Sequence, residues 1–80
     1  MKSDADLDRE LSAVYEPVLR DPHDATAMRA LLEVLHEQFG TNSDEGEGID
    51  VLREKLADGG DMDEFEREFI LYVARLALRL

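Results

Sequence analysis

The sequence predicts an all-α fold, a small four-helix domain, and three observations carry that expectation. Leu occurs 12 times against five Val and two Ile, a bias toward side chains that lose little freedom in a helix. Apolar residues recur at three- and four-residue spacing in four segments, and no stretch alternates cleanly at period two as a half-buried strand would. Clusters of Gly, Pro and Asp punctuate the intervals between those segments. Eighty residues make one domain, residues 1–80, and the 44% hydrophobic content is that of a globular chain rather than a disordered one.

The first helix is expected over about 4–19. Leu7, Leu11, Val14 and Val18 form one stripe with Tyr15 and Leu19 beside it, and Asp4, Asp6 and Asp8 suit a positive N-terminal dipole end. Pro17 removes an amide donor and disfavours helical geometry at Glu16, so a kink or break is expected there, with an early end near Tyr15. The second helix is expected over 22–39, with Asp21 as cap, Pro22 in the first turn and Gly40 as a left-handed stop. Met28, Leu31, Leu32, Leu35 and Phe39 are its apolar stripe. Residues 41–48 carry two Gly, three acids and nothing to bury, so they read as a loop. The third helix is then short, 47–57, with Ile49, Leu52 and Leu56 on one face and Asp58-Gly59-Gly60 ending it. The fourth is expected over 61–79, with Asp61 as cap and Glu64 completing a capping box. From Phe65 to Leu80 it is apolar nearly all round, with only Glu68, Tyr72, Arg75 and Arg79 as a thin polar stripe. Such a helix is either the central helix of its domain or half of an interface.

Charge narrows the functional classes. Twenty acids against nine bases give a net −11, distributed as −5 over residues 1–40, −8 over 41–68 and +2 over 69–80. Direct binding to nucleic acid is not expected, because each phosphate contact needs Lys or Arg. Seven of the nine bases are Arg, and this acid-rich, Lys-poor composition resembles that of cytosolic proteins from salt-loving microbes. There, acidity is a property of the whole surface and marks no site. The absence of cysteine excludes a disulfide scaffold, a thiolate nucleophile and a Cys-built zinc site. The first residues lack the apolar core of a signal peptide, and residues 69–80 are too short and too charged to span a bilayer. A cytoplasmic location without membrane contact is therefore expected.

Two stretches resemble known families. Tyr15-Glu16-Pro17-Val18-Leu19-Arg20-Asp21-Pro22-His23-Asp24-Ala25, followed by Met28, Leu31, Leu35 and Gly40, looks like the junction between tetratricopeptide repeats. In that family an Asp-Pro closes one helix pair and the next helix opens on large apolar residues. The resemblance covers about residues 15–40 and implies a helical hairpin. It departs from the family at Leu32, where a small residue is usual, and at Pro17, and no second copy follows at a 34-residue period. The segment 57–78, opening Ala57-Asp58-Gly59-Gly60-Asp61-Met62, is similar to TerB-like domains of the tellurite-resistance type, with one residue inserted after Asp58-Gly59. That resemblance implies a longer all-helical unit, of a family with some members implicated in metal binding.

Few constellations carry chemistry. A twelve-residue loop from Ser43 to Glu54 would place Glu45, Glu47, Gly48 and Glu54 at EF-hand positions, making Glu45, Glu47 and Glu54 weak candidates for a divalent cation. Ser43 stands where Asp is expected and Asp50 where a hydrophobic residue is expected, so solvated, helix-capping acids are the competing reading. His23 and His36 read as structural, His36 at the edge of an apolar face, since one His among surface carboxylates does not build a zinc site. No cofactor is implied. Ser3, Ser12 and Ser43 sit in no nucleophile motif, no Gly-rich phosphate loop is present, and a domain this small leaves little room for a cleft that raises a carboxyl pKa, so no enzyme is expected. Arg75 and Arg79 suit the C-terminal dipole end of the last helix.

The expected function is a small acidic helical protein–protein interaction module. It would bind a protein partner, or a second copy as a homodimer, through Phe65, Phe69, Tyr72, Val73, Leu76 and Leu80 of the C-terminal helix. The alternatives are a regulatory or inhibitory protein whose carboxylates between Asp44 and Glu68 imitate a nucleic-acid backbone, and a domain binding a divalent cation weakly.

Overall fold

The computed structural model describes residues 3–40 and 42–80. Four helices form the fold: α1 (Asp4–Arg20), α2 (Ala25–Phe39), α3 (Asp44–Ala57) and α4 (Glu64–Leu78). No strand occurs among the described residues. The short connection between α1 and α2 makes them a helical hairpin. α2 packs against α1 on one side and α3 on the other, while α4 rests mainly on α1 and meets α3 less extensively. Among the described residues no helix is long and apolar enough to cross a membrane.

The central helix is α2, not α4. It buries Met28, Leu31, Leu32, Val34 and Leu35, whereas α4 buries only Ile70, Val73 and Ala74 fully. Leu31, Leu32 and Leu35 are completely enclosed, each contributing about 1.5–3 kcal/mol of transfer free energy. Leu11, Tyr15 and Val18 of α1 close the core from one side, and Ile49, Leu52 and Leu56 of α3 from the other.

Four expected boundaries are corrected. α1 does not break at Pro17: it runs to Arg20, and the Asp21 amide donates back to the Pro17 carbonyl at 3.1 Å. Pro17 and Ala13, four residues earlier, are both exposed, so the carbonyl that Pro17 cannot satisfy lies on the solvent side of the helix. α2 begins three residues later than expected. Asp21 closes α1, Pro22 and His23 form a turn, and Asp24 is the cap, its carboxylate accepting from the Thr26 amide at 3.0 Å and the Ala27 amide at 3.3 Å.

The third correction is the largest. Residues 44–48 are not loop but the first turn and a half of α3, capped by the Ser43 hydroxyl, which accepts from the Gly46 amide at 3.0 Å. Asp44, Glu45 and Glu47 lie against the positive end of the dipole. The two glycines that signalled a loop mark close packing instead. A Cβ at Gly46 would overlap the Gly40 carbonyl oxygen of the turn after α2, and one at Gly48 would reach 2.9 Å from the Phe69 ring. Gly40 itself has φ +66° and ψ −150°, a conformation that non-glycine residues avoid.

α4 also starts late. Its cap is Asp63 rather than Asp61, and the reciprocal partner is Glu66: the Glu66 amide donates to Asp63 Oδ1 at 2.8 Å and the Asp63 amide to Glu66 Oε1 at 3.0 Å. Met62, buried in the core, shifts the start by pulling the preceding turn inward, and its carbonyl is held by the Arg67 guanidinium. α3 and α4 both end in Schellman geometry. Gly60 and Gly59 donate back to Lys55 and Leu56, and Leu80 and Arg79 donate back to Arg75 and Leu76. Gly59 fills the left-handed position in the first motif, but in the second Arg79 fills it, at φ 62° and ψ 40°.

Candidate functional site

α4 presents two apolar stripes to different surroundings. Ile70, Val73 and Ala74 face the core, with Ala77 and Leu78 packed partly against it. Phe65, Phe69, Tyr72 and Leu76 recur at intervals of four, three and four residues along the adjacent side. Phe65 is 86% exposed, Tyr72 54%, Leu76 50% and the following Leu80 80%. Of the six residues expected to meet a partner, these four are therefore accessible. Phe69 is half-buried, laid over Gly48 of α3, and contributes its edge. Val73 is fully enclosed, so its assignment to a partner surface is corrected: one residue on from Tyr72, it is rotated by about 100° around the helix axis onto the core side.

An open groove of about 480 Å³ continues this face onto α3. Its apolar floor comprises Gly48, Val51, Leu52, Phe65 and Phe69, and its rim carries Asp44, Glu47 and Glu66. Val51 was not anticipated. It is 63% exposed, and the available signal was that it falls outside the α3 stripe of Ile49, Leu52 and Leu56.

Three polar ties hold the groove walls and neighbouring helices in place. Between α3 and α4, Lys55 Nζ donates to Glu66 Oε1 at 2.8 Å. That hydrogen bond holds the Lys55 ammonium above its ordinary pKa and the Glu66 carboxyl below its own, with the Asp63 amide lowering Glu66 further. One carboxylate oxygen thus caps α4 and binds it to α3. Between α2 and α3, Arg53 donates to Glu33 at 2.8 Å and to Asp50 at 3.0 Å, and the Glu33 hydrogen bond foremost raises the Arg53 pKa. Arg29 donates to the Leu56 carbonyl at 2.8 Å, joining the Gly59 amide as a second donor to that oxygen at the end of α3. His36 Nδ1 lies 3.8 Å from Asp50 Oδ1, beyond hydrogen-bonding distance, at the edge of the α2–α3 seam. His23 lies exposed in the α1–α2 turn rather than in a first helical turn.

The EF-hand geometry does not form. Residues 44–54 are helical, and Glu45 and Glu54 are nine residues apart on one helix, a rise of about 13 Å that no single cation bridges. Among the described residues no three His, Asp or Glu side chains converge as a metal-binding group.

Comparison with protein-family models, curated proteins and solved structures finds no match to this chain. The tetratricopeptide-like and TerB-like resemblances accordingly rest on the residues that carry them, and the functional reading rests on the geometry of α4.

Proposed function

We propose that this protein is a small acidic protein–protein interaction module without catalytic activity, whose docking surface is the exposed stripe of α4 and the α3–α4 groove beside it. One observation carries the reading: a capped, core-anchored helix displays Phe65, Tyr72 and Leu76 along one side, with Leu80 exposed just past its end, and no other element among the described residues covers them. Large apolar side chains grouped along one helix mark an interaction surface, whereas scattered ones do not. The acidic rim at Asp44, Glu47 and Glu66 favours a binding helix with basic flanks.

The nucleic-acid-mimic alternative needs the carboxylates of residues 44–68 unencumbered. Asp50 and Glu66 are neutralised within the fold by Arg53 and Lys55, which weighs against it. The experiment is affinity capture with the wild-type chain and with a Phe65→Ser/Leu76→Ser variant of equal helicity. Partners retained by the first and lost by the second support the docking surface; identical retention by both refutes it.

A further inference from the structure

We infer that the occupant of this surface is a second copy of the chain, packed with its α4 antiparallel across a two-fold axis near Tyr72. This rests on the docking surface proposed above and adds its partner and orientation. The charge pattern of α4 is what selects them. The N-terminal half carries Glu64, Glu66 and Glu68 against one base, Arg67, whose guanidinium is turned back onto the Met62 carbonyl, and the C-terminal half carries Arg75, with Arg79 just past its end. Residues 69–80 are also the one stretch of the three with net positive side-chain charge in a chain of −11. A helix with an acidic and a basic end complements itself only when reversed, as an isologous two-fold contact requires.

The register follows from the stripe. Phe65, Phe69, Tyr72 and Leu76 occupy the two alternating seam positions of a coiled-coil heptad, so Glu68 and Arg75 are equivalent flanking positions one heptad apart. An axis perpendicular to the helices keeps this flank on the same side in both copies. Glu68 then faces Arg75 of the other copy, and Arg75 faces its Glu68. Both side chains are exposed, neither has an ion pair among the described residues, and seven residues of separation keep them from pairing within one chain. The same reversal brings Leu80 and Arg79 of the other copy toward the groove rimmed by Asp44, Glu47 and Glu66. A parallel pair would instead align acidic end with acidic end.

The contact is small. The exposed parts of Phe65, Tyr72, Leu76 and Leu80 amount to about 500 Å² per protomer, or about 1,000 Å² in all, at the lower edge of specific interfaces. A reversible dimer is expected, with a dissociation constant on the order of tens of micromolar or weaker.

The test is sedimentation equilibrium at about 0.15 M KCl, from about 10 μM to 1 mM, where the two like-charged protomers are partly screened. The wild-type mass should climb from 9.1 kDa toward twice that value. Glu68→Arg alone and Arg75→Glu alone should each weaken association at least tenfold while keeping wild-type helicity. An equimolar mixture of the two variants should associate again, because in the mixed pair both flanking contacts set an arginine of the first variant against a glutamate of the second. A chain that stays at 9.1 kDa throughout overturns the second-copy inference, while the capture experiment above still decides the docking surface. Association that neither variant weakens, or that the mixture fails to restore, overturns the antiparallel arrangement.

Discussion

Replacing Gly46 by Ala sets two effects of known sign against each other. Gly46 lies inside α3, where Ala would ordinarily stabilise a helix by up to about 1 kcal/mol. The added methyl, however, would overlap the Gly40 carbonyl oxygen and stand 3.0 Å from its carbon and 3.1 Å from Ser43 Oγ, where ordinary contact begins near 3.4 Å. The obstacle is backbone, and Gly40 is tied to the end of α2 by its amide donating to the His36 carbonyl at 2.8 Å. Relief therefore requires α3 to move away from the end of α2, loosening contacts of Ile49 and the cap at Ser43. Overpacking costs about 1–3 kcal/mol, and overlap with a backbone oxygen places this one in the upper half of that range, so after the propensity gain Gly46→Ala should be net destabilising by about 1–2 kcal/mol. In a domain this size that lowers Tm by roughly 4–15 °C. Gly48→Ala is the matched control. Its methyl would meet the Phe69 ring at 2.9 Å, a side chain able to swing by a few tenths of an ångström, so propensity gain and repacking cost should cancel to within about 0.5 kcal/mol. Thermal and urea melts followed by circular dichroism, at low protein concentration to exclude association, measure both. A Gly46→Ala chain as stable as wild type, or more stable, would refute the close approach of α2 and α3.

Two further perturbations test other parts of the fold. Arg79→Gly removes the cost of a left-handed non-glycine residue and should raise stability by up to about 1 kcal/mol in urea melts; a loss of stability would mean the Schellman end of α4 does not form. Lys55→Met removes the partner that holds the Glu66 pKa down. A depressed carboxyl contributes stability above its unfolded pKa, about 4.3, and loses that contribution as pH falls through the lower folded value. The gap between wild type and Lys55→Met should thus be constant from pH 7 to about 5 and close only below about pH 4. A gap already closed at pH 6, or undiminished at pH 3, contradicts the tie.

Helix number and type were legible in the chain because periodicity and capping are local signals. The stripe of Met28, Leu31, Leu32 and Leu35 needs only one turn of context to read, and those residues are core. The boundaries were less legible wherever one residue had two possible roles. Asp21 and Asp24, or Asp61 and Asp63, are equally good caps in isolation, and burial of Met62 chooses between the latter pair. Gly46 and Gly48 have the composition of a loop, and only the approach of Gly40 and Phe69 reveals them as contact points inside a helix.

The same division holds for the site. The sequence by itself determined that the last helix has more apolar surface than one stripe can use, that its two ends carry opposite charge, and that the chain as a whole is strongly acidic. Only the tertiary structure decided which helix is central, turning Val73 inward and leaving Phe65, Tyr72, Leu76 and Leu80 outside. Periodicity gives each side chain an angle around its own helix axis. Which angles are covered depends on where the other helices lie, and that is settled by long-range packing of α2 between α1 and α3.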